Sequence, residues 1–255
     1  MLAEPHRWVE AIRQRRAYIE DQLKDVSPVI GLPYTDGLLL VTTTPGPRKI
    51  FEVYDQLALA GVGHPADMEK VRRAAIDIAH VEAYNLSSAD VTAYRLVASG
   101  IGPLMKTAFD EVVRSPFIAR LMVAELGGVD DAPAFYTVEA DGSFAPAERV
   151  AVVGGEAAAV NACREYVERR AASGSWSLDE AIQAALHAWG CGWLAAQGEI
   201  DPGEQRIISC LGRSLETARV EAVVLDRTLA TTTKFRLLGG DELDRVTRRY
   251  TGGER

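Results

Sequence analysis

The order of apolar and polar positions changes along the chain, and its first part predicts a helix followed by a β-hairpin. Residues 8–24 contain no Gly or Pro, and four of their apolar side chains fall within an arc of roughly 60° on a 3.6-residue helix: Trp8, Ile12, Ile19 and Leu23. Two short apolar runs follow, Val29–Tyr34 and Leu38–Thr44, with Asp36-Gly37 between them. An Asp-Gly pair favours a two-residue hairpin turn because both central positions of a type I′ turn need positive φ.

In the rest of the chain, several consecutive strands are followed by several consecutive helices, and this grouping repeats. Four strands in immediate succession at the start predict an antiparallel meander. Pro103 predicts a kink near Ser99-Gly100 in the second long helix. The Gly- and Pro-punctuated stretch Gly198–Glu216 predicts an irregular surface insertion. The further predicted strands are Lys49–Tyr54, Gln56–Gly61, Phe117–Leu126, Ala134–Ala140, Arg149–Val153, Arg219–Asp226 and Thr231–Leu237, and the further helices are Ala66–Tyr84, Asp90–Arg114, Glu156–Ala171, 178–196 and Asp241–Arg249.

This grouping of consecutive strands and consecutive helices determines the predicted fold class. A parallel sheet would need strands and helices in regular alternation, which the pattern lacks. We therefore predict an α+β fold, a four-layer αββα sandwich of two antiparallel sheets with an extra N-terminal helix. No break in composition suggests a linker, so the prediction is one domain over residues 1–255. Within it, residues 1–7 form a tail, 8–24 the first helix and 27–250 the sandwich.

Composition and charge narrow the possible functions. Hydrophobic residues make up 47% of the chain and charged residues 25%, which is ordinary for a globular protein. The net charge of −8 argues against a nucleic-acid partner. The first residues lack the apolar stretch of a signal peptide, and no run of about 18 apolar residues occurs. The expectation is a cytoplasmic protein without a membrane partner.

Cysteine and histidine spacing predicts neither a metal site nor a cofactor. The three cysteines are odd in number and show no CxxC spacing, which favours reduced, structural thiols. The four histidines form no HxH or HExxH pattern. Neither residue type therefore provides a recognisable set of ligands.

A series of segments, in order and with similar spacing, resembles the α subunit of the core proteasome, most closely the bacterial type. The segments are Glu10–Arg15, Val29–Val41, Lys49–Asp55, Ala60–Gly63, Asp90–Thr92 and Val152–Gly155. The resemblance implies an Ntn-type sandwich that assembles into homo-oligomeric seven-membered rings. Such rings cap rings of catalytic β subunits and receive an AAA+ ATPase or another ring activator. The residues that would gate the axial pore are Met1, Leu2, Ala3, Glu4, Pro5, His6 and Arg7.

The same resemblance implies that the hairpin lacks the catalytic machinery of the β subunits. It aligns Ser27 with the nucleophile, Thr43 with the acid and Lys49 approximately with the lysine. An N-terminal nucleophile needs its own free α-amine, whereas the nitrogen of Ser27 is an amide, and Thr43 cannot hold a lysinium as a carboxylate does. We therefore predict no catalytic residue and a non-catalytic ring subunit. The alternative is an Ntn amidohydrolase activated by cleavage before Ser27.

Lys49 has a second implied role, in activator binding. In the archaeal-type subunits the corresponding lysine lies in a pocket between neighbouring subunits and receives the C-terminal carboxylate of an activating ATPase. A lysinium in a partly dry pocket suits one carboxylate. Val26 and His64 would complete this pocket, although Val26 stands where Gly is usual and His64 where an apolar residue is common. The alternative for Lys49 is an ordinary solvated lysine at the start of a strand.

A glycine motif supports a third possibility, a nucleotide-binding oxidoreductase. Gly61–Ala66 satisfies GxGxxA between a predicted strand and a helix, and Glu82 follows at about the spacing of a dinucleotide fingerprint. The context differs from that fingerprint because a second helix, not a parallel strand, comes next. Pro65 would also remove a backbone N–H from the phosphate-facing turn.

Overall fold

The computed structural model describes residues 5–111, 115–127, 134–171 and 175–251. Its first half contains α1 (Pro5–Leu23), β1 (Val29–Tyr34), β2 (Gly37–Thr44), β3 (Ile50–Tyr54), β4 (Leu57–Gly63), α2 (Pro65–Asn85), α3 (Ala93–Arg95) and α4 (Gly102–Asp110). A 3₁₀ turn at Ser88–Asp90 precedes α3, and a π-helical segment at Leu96–Ile101 joins α3 to α4. The second half contains β5 (Ala119–Glu125), β6 (Ala134–Val138), β7 (Phe144–Ala147), β8 (Ala151–Val153), α5 (Ala157–Ala171), α6 (Leu178–Ala196), α7 (Glu204–Leu215), β9 (Arg219–Asp226), β10 (Phe235–Leu237) and α8 (Gly240–Thr247).

The strands form two antiparallel sheets, which confirms the predicted α+β sandwich. The first sheet has the order β10-β9-β2-β1-β8 and the second the order β3-β4-β5-β6-β7. β2 is apolar along most of its length because both of its faces are covered. Leu38 and Leu40 lie in the core between the sheets, whereas Leu39 and Val41 pack in the core that includes α5 and α6. On the second sheet, α2 and the helical segments 93–110 form the outer layer.

The predicted four-strand meander is wrong, because the first four strands are divided between the two sheets. All eight residues of β2 pair with β9, and β1 pairs with β8 on its other side, so β3 has no free edge to join there. β3 pairs with β4 and begins the second sheet. The connection Pro45-Gly46-Pro47 separates the two hairpins, and its prolines provide no N–H for a ladder.

The stretch predicted to be irregular contains a helix, so the prediction for Gly198–Glu216 is wrong over α7. Ile207, Cys210 and Leu211 have the spacing of one helix face and are buried in the core shared with α6. Gly203, at the N-cap, makes no side-chain cap, and Pro202 stands just before it. The Pro-Gly pair therefore indicated a turn correctly, but the irregular stretch predicted from it extended over the helix that follows.

The second long helix also differs in detail from its prediction. It begins at Ala93, where the Thr92 hydroxyl accepts a hydrogen bond from the backbone N–H of Arg95, rather than directly after Ser87–Asp90. The irregularity expected from Pro103 takes the form of the π-helical segment Leu96–Ile101. Strand β7, which pairs with β6, was not predicted.

Helix α1 begins at Pro5, three residues earlier than predicted, and packs on one end of the sandwich. Ile19 and Leu23 are buried against Phe109 and Ala140. Arg15 of α1 donates hydrogen bonds to the carbonyl oxygens of Phe109 at 2.7 Å, in the last turn of α4, and of Glu111 at 2.7 Å, at its C-cap. Such contacts satisfy carbonyls that a helix end leaves unpaired.

Candidate functional site

A groove of about 570 Å³ lies where the ends of the first hairpin meet α6 and α7. The antiparallel register places Val29 opposite Thr42, so the residues just before β1 lie beside the end of β2. Four of the positions considered in the sequence analysis line this groove: Val26, Ser27, Thr43 and Lys49. Its remaining lining residues are Asp25, Thr44, Pro45, Gly46, Pro47, Trp189, Trp193, Gln197, Cys210, Arg213, Ser214, Thr217 and Ala218.

The Ser27 hydroxyl has polar neighbours from both strands and from α6. Trp189 Nε1–H donates a hydrogen bond to Ser27 Oγ at 2.7 Å. Ser27 Oγ also lies 3.3 Å from Thr43 Oγ1 and 3.4 Å from Thr42 Oγ1. None of these neighbours is a base that could remove a proton from the hydroxyl. The nucleophile position is therefore occupied by a hydroxyl held in a neutral hydrogen-bond network.

The Lys49 ammonium is bound to a backbone carbonyl rather than to a hydroxyl. Its Nζ donates a hydrogen bond to the carbonyl oxygen of Ser27 at 2.8 Å. Burial lowers the pKa of Lys49 to about 8, and the negative charge of Glu221 opposes part of that shift. Lys49 is thus a half-buried amine at the edge of a cavity, still mostly charged at neutral pH.

Glu221 of β9 fixes the start of β3 and was missed by the sequence analysis. Its side chain is only 5% exposed. The backbone N–H groups of Lys49 and Ile50 donate to its two carboxylate oxygens at 2.9 and 3.1 Å, and Arg48 Nε lies 3.5 Å away. The carboxylate thereby holds the backbone from which the Lys49 side chain extends. No local pattern could identify it, because it is 172 residues from Lys49.

The two tryptophans of α6 were also missed. Trp189 and Trp193 are four residues apart, so they lie on the same side of the helix, and their rings stack with centroids 5.4 Å apart at 11°. The helix itself follows the predicted capping box, in which Ser177 and Glu180 bond reciprocally. The i, i+4 spacing of the two aromatics was a usable signal, but it indicated only one helix face and not the groove.

The other predicted site residues lie elsewhere or outside the described residues. His64 is exposed and caps α2, with Nδ1 accepting the backbone N–H of Ala66 at 3.3 Å. It is not among the described residues that line the groove. Of the predicted gate, Met1, Leu2, Ala3 and Glu4 lie outside the described residues. Pro5, His6 and Arg7 form the first residues of α1.

The glycines of the GxGxxA motif have a packing explanation. Gly63 has a φ of +147°, and a Cβ there would lie 2.0 Å from the carbonyl oxygen of Ile118. At Gly61 a Cβ would lie 2.8 Å from the carbonyl oxygen of Arg120. Both glycines therefore allow β4 to lie close to the strand beside it.

Within the residues that the structure describes, no three His, Cys, Asp or Glu side chains are grouped to hold a metal ion. The three cysteines, Cys163, Cys191 and Cys210, are buried and free. In the same ranges no helix is both long and apolar enough to cross a bilayer.

Comparison with known proteins points to one family. The family model described as "Proteasome subunit" matches residues 28–191. A proteasome subunit alpha of Arthrobacter sp. (strain FB24) is 33% identical over 221 residues, covering 84% of this chain and 84% of that relative. One from Thermomonospora curvata is 32% identical, covering 78% and 77%. One from Streptomyces scabiei is 28% identical, covering 93% and 88%. The chain therefore belongs to the proteasome subunit family, and it is a proteasome subunit of the alpha type.

Proposed function

We propose that this chain is a non-catalytic ring subunit that gates the axial pore of a core proteasome and docks an ATPase activator. Copies of the chain would form seven-membered rings, and these rings would stack on rings of catalytic β subunits. The proposal rests on the end of the first hairpin, where none of the side chains bonded to the Ser27 hydroxyl is a base and the lysine faces a cavity.

The observation that carries the proposal is the contact between Lys49 Nζ and the carbonyl oxygen of Ser27 at 2.8 Å. An N-terminal nucleophile is activated by its own free amine, and the nitrogen of Ser27 is tied into a peptide bond. The position of the acid holds the neutral hydroxyl of Thr43, which lies 3.3 Å from Ser27 Oγ. A positive charge held beside a cavity suits the binding of a carboxylate better than the cleavage of an amide.

The gate is assigned to residues Met1–Arg7, which precede and begin α1. The anchoring of α1 by Arg15 supports this assignment, because a firmly held helix would position the residues ahead of it. In a barrel assembled with matching β subunits, deletion of residues 1–7 should raise peptide hydrolysis. Titration of the β active sites with a covalent inhibitor serves as the control and should give the same number of sites. An unchanged rate in the assembled barrel would refute the gate.

Activator docking is assigned to Lys49 and Val26 in the groove, with His64 as a further contact across the subunit boundary. The C-terminal carboxylate of the activator would accept hydrogen bonds from Lys49 Nζ. Lys49→Ala should abolish stimulation of the barrel by the ATPase, whereas Lys24→Ala, at an exposed position, should retain it. Full stimulation of the Lys49→Ala barrel would leave Lys49 without a docking role.

The second candidate is an amidohydrolase activated by cleavage before Ser27. The position of Ser27 in a groove beside Thr43 and Lys49 favours it. Cleavage would free the amine that the present geometry lacks. The intact mass of the purified chain separates the two functions, since processing removes residues 1–26. A full-length mass in active barrels excludes the amidohydrolase.

A further inference from the structure

The last residues that the structure describes return to α6 and bury one tyrosine there. Residues 248–251, here called the C-terminal segment, follow α8. Within this segment only Tyr250 is buried, with 6% of its surface exposed, and its ring lies in the core that includes α6. Its carbonyl oxygen lies beside Gly212 of α7, where a Cβ would come within 2.6 Å of it. One side chain therefore anchors the C-terminal segment to the domain.

The ring that receives Tyr250 is the imidazole of His187 in α6, which is only 1% exposed. Its centroid lies 5.7 Å from that of Tyr250, at 64°, and 6.1 Å from that of Tyr166 in α5, at 57°. The Arg170 guanidinium lies over the Tyr166 ring, 5.6 Å from its centroid. Arg249 lies in the same way over the Tyr250 ring, at 5.9 Å. The imidazole is thus enclosed between two aromatic rings, each with a cation over it.

The hydrogen bonds around His187 favour its neutral form. Arg170 Nη1 donates to Tyr166 Oη at 3.0 Å, and Tyr166 Oη lies 3.0 Å from His187 Nδ1. A tyrosine oxygen that accepts from Arg170 keeps its own proton for donation, so Nδ1 is the acceptor and Nε2 carries the proton of the ring. Among the described residues, the buried atoms His187 Nε2 and Tyr250 Oη have no hydrogen-bond partner. A second proton, on Nδ1, would remove the acceptor of the Tyr166 hydroxyl and charge a ring whose Nε2–H is already unpaired.

The charged groups around the imidazole also bear on its protonation. Arg170 of α5 and Arg249 of the C-terminal segment are cations, and Glu204 in the first turn of α7 is an acid. Burial lowers the pKa of His187 below its ordinary value of 6.5; the charge of Glu204 opposes that shift, and the two arginines add to it. The other titratable neighbours have pKa values that burial raises, so they stay uncharged from acidic to neutral pH: Tyr166, Tyr250 and Cys191, which lies one turn further along α6.

We propose that His187 is a pH-sensitive anchor: at acidic pH its imidazole takes up a proton, and Tyr250 and the C-terminal segment are released from α6. With Tyr250 removed, water reaches the imidazole and Nε2–H gains a partner, so the released form binds the proton more readily than the docked form. The docked form therefore has its full advantage above about pH 6.5 and loses it as the pH falls towards the lowered pKa of His187. Between these two values each pH unit changes the balance by up to about tenfold.

Hydrogen exchange of the full-length chain, followed by mass spectrometry at about pH 5 and about pH 7.5, tests this anchor. In the docked form the backbone N–H of Tyr250 donates to the carbonyl oxygen of Thr247 at 2.9 Å, so peptides that contain residues 248–251 report on the segment. Each rate is divided by the intrinsic rate of an unstructured peptide at the same pH, which removes the chemical effect of pH on exchange. The protection of the C-terminal segment should fall about tenfold from the higher to the lower pH, whereas the protection of α6 should be kept.

Variants separate the imidazole from the rings around it. The side chain of His187→Gln cannot take up a proton, so the protection of its C-terminal segment should change less than about twofold between the two pH values. His80→Gln is the matched control. His80 also contacts a tyrosine ring, that of Tyr54 at 5.3 Å, but it is exposed, so this variant should retain the tenfold fall.

The proposal is overturned if the unaltered chain protects the segment equally at both pH values, if α6 loses protection to the same extent, or if His187→Gln retains the fall. A second readout needs no variant. The ¹³C NMR titration of the His187 ring, identified by its through-space contacts with two tyrosine rings, should give a pKa below 6.5, and a value of 6.5 or above would also overturn the proposal. These measurements are independent of the gate and of activator docking, because every group involved belongs to one chain and none lies at Lys49 or in residues 1–7.

Discussion

Two partly buried cations, Arg120 beneath α1 and Lys49 at the groove, differ in how many protein acceptors surround them. Arg120 has a side chain that is 15% exposed and is surrounded by acceptors. It contacts Glu20 of α1 and donates to Glu139 at 2.8 Å. It also donates to the carbonyl oxygens of Gly154 at 3.0 Å and Gly155 at 2.5 Å. The hydrogen bonds of Arg120 therefore hold parts of the fold together.

Lys49 has the opposite arrangement. Its ammonium has one described hydrogen bond and lines a cavity, and burial lowers its pKa to about 8. The nearby carboxylate of Glu221 binds the backbone instead. A buried charge with few protein partners costs stability, and a ligand of opposite charge would reduce that cost. The comparison thus separates a structural cation from one that is available for binding.

The largest effect is expected for Arg120→Ala. Two carboxylates and two carbonyl oxygens would lose their donor, and α1 would lose its link to the residues before α5. We expect the free energy of unfolding to fall by about 3 kcal/mol, since the side chain is buried although Glu20 and Glu139 are half exposed. Urea denaturation measures the loss, and limited proteolysis should cut within α1.

Arg16→Ala is the matched control. Arg16 also joins α1 to the sandwich, through Asp141 at 3.1 Å, but its side chain is 64% exposed. An exposed ion pair contributes little, so the change should stay within about 0.5 kcal/mol. Equal losses for Arg16→Ala and Arg120→Ala would mean that burial of Arg120 is not what matters.

The fold could be predicted largely from local patterns, and the main error of that prediction concerns which strands lie next to each other. Asp36-Gly37 correctly marked the first hairpin, and Ser177 and Glu180 correctly marked the start of α6. The assignment of the first two hairpins to one sheet failed because the neighbours of β1 and β2 are β8 and β9, from distant parts of the chain. Hydrophobic period specifies which face of a strand is buried, but not which strand lies next to it.

Only part of the candidate site could be predicted, because the rest of it depends on which distant elements pack together. Val26, Ser27, Thr43 and Lys49 belong to one hairpin and its connection, so their proximity follows from the register of two neighbouring strands. The tryptophans of α6 and Glu221 of β9 reach the site only through packing of the whole domain. The resemblance to the family could therefore identify the lysine, but not the groups that surround it.

An intermediate effect on stability is expected for Glu221→Gln, which changes the carboxylate that holds the backbone at Lys49. The glutamine keeps one carbonyl oxygen, so one of the N–H groups of Lys49 and Ile50 loses its acceptor. The stability should fall by about 1.5 kcal/mol. Loss of the negative charge also removes the influence that raises the pKa of Lys49, so that pKa should fall below about 8. Urea denaturation at pH 7 measures the first effect, and Glu216→Gln, at an exposed position, is the control. No loss of stability would show that this carboxylate does not hold β3.

Apart from the Arg16→Ala control, the smallest effect on stability is expected for Lys49→Met, and its pH dependence makes the comparison of the two cations quantitative. The pKa of Lys49 in the folded chain lies at about 8, below its ordinary value of 10.5, so folding disfavours the charged form. The unfolded chain then binds more protons between pH 8 and pH 10.5, and this residue's contribution to stability rises with pH across that window. Methionine removes the cost and the one hydrogen bond to Ser27, which nearly cancel, so at pH 7 the two proteins should agree within about 1 kcal/mol.

Relative to the unaltered protein, the Lys49→Met variant should be most favoured below pH 8 and should lose that advantage as the pH approaches 10.5. Urea denaturation of both proteins at pH 7 and pH 10 measures the difference, in which the titration of all other groups cancels. A variant that loses as much stability at pH 7 as Arg120→Ala would contradict this expectation. Lys49 would then be a second structural cation, and the groove would have no free charge for a ligand.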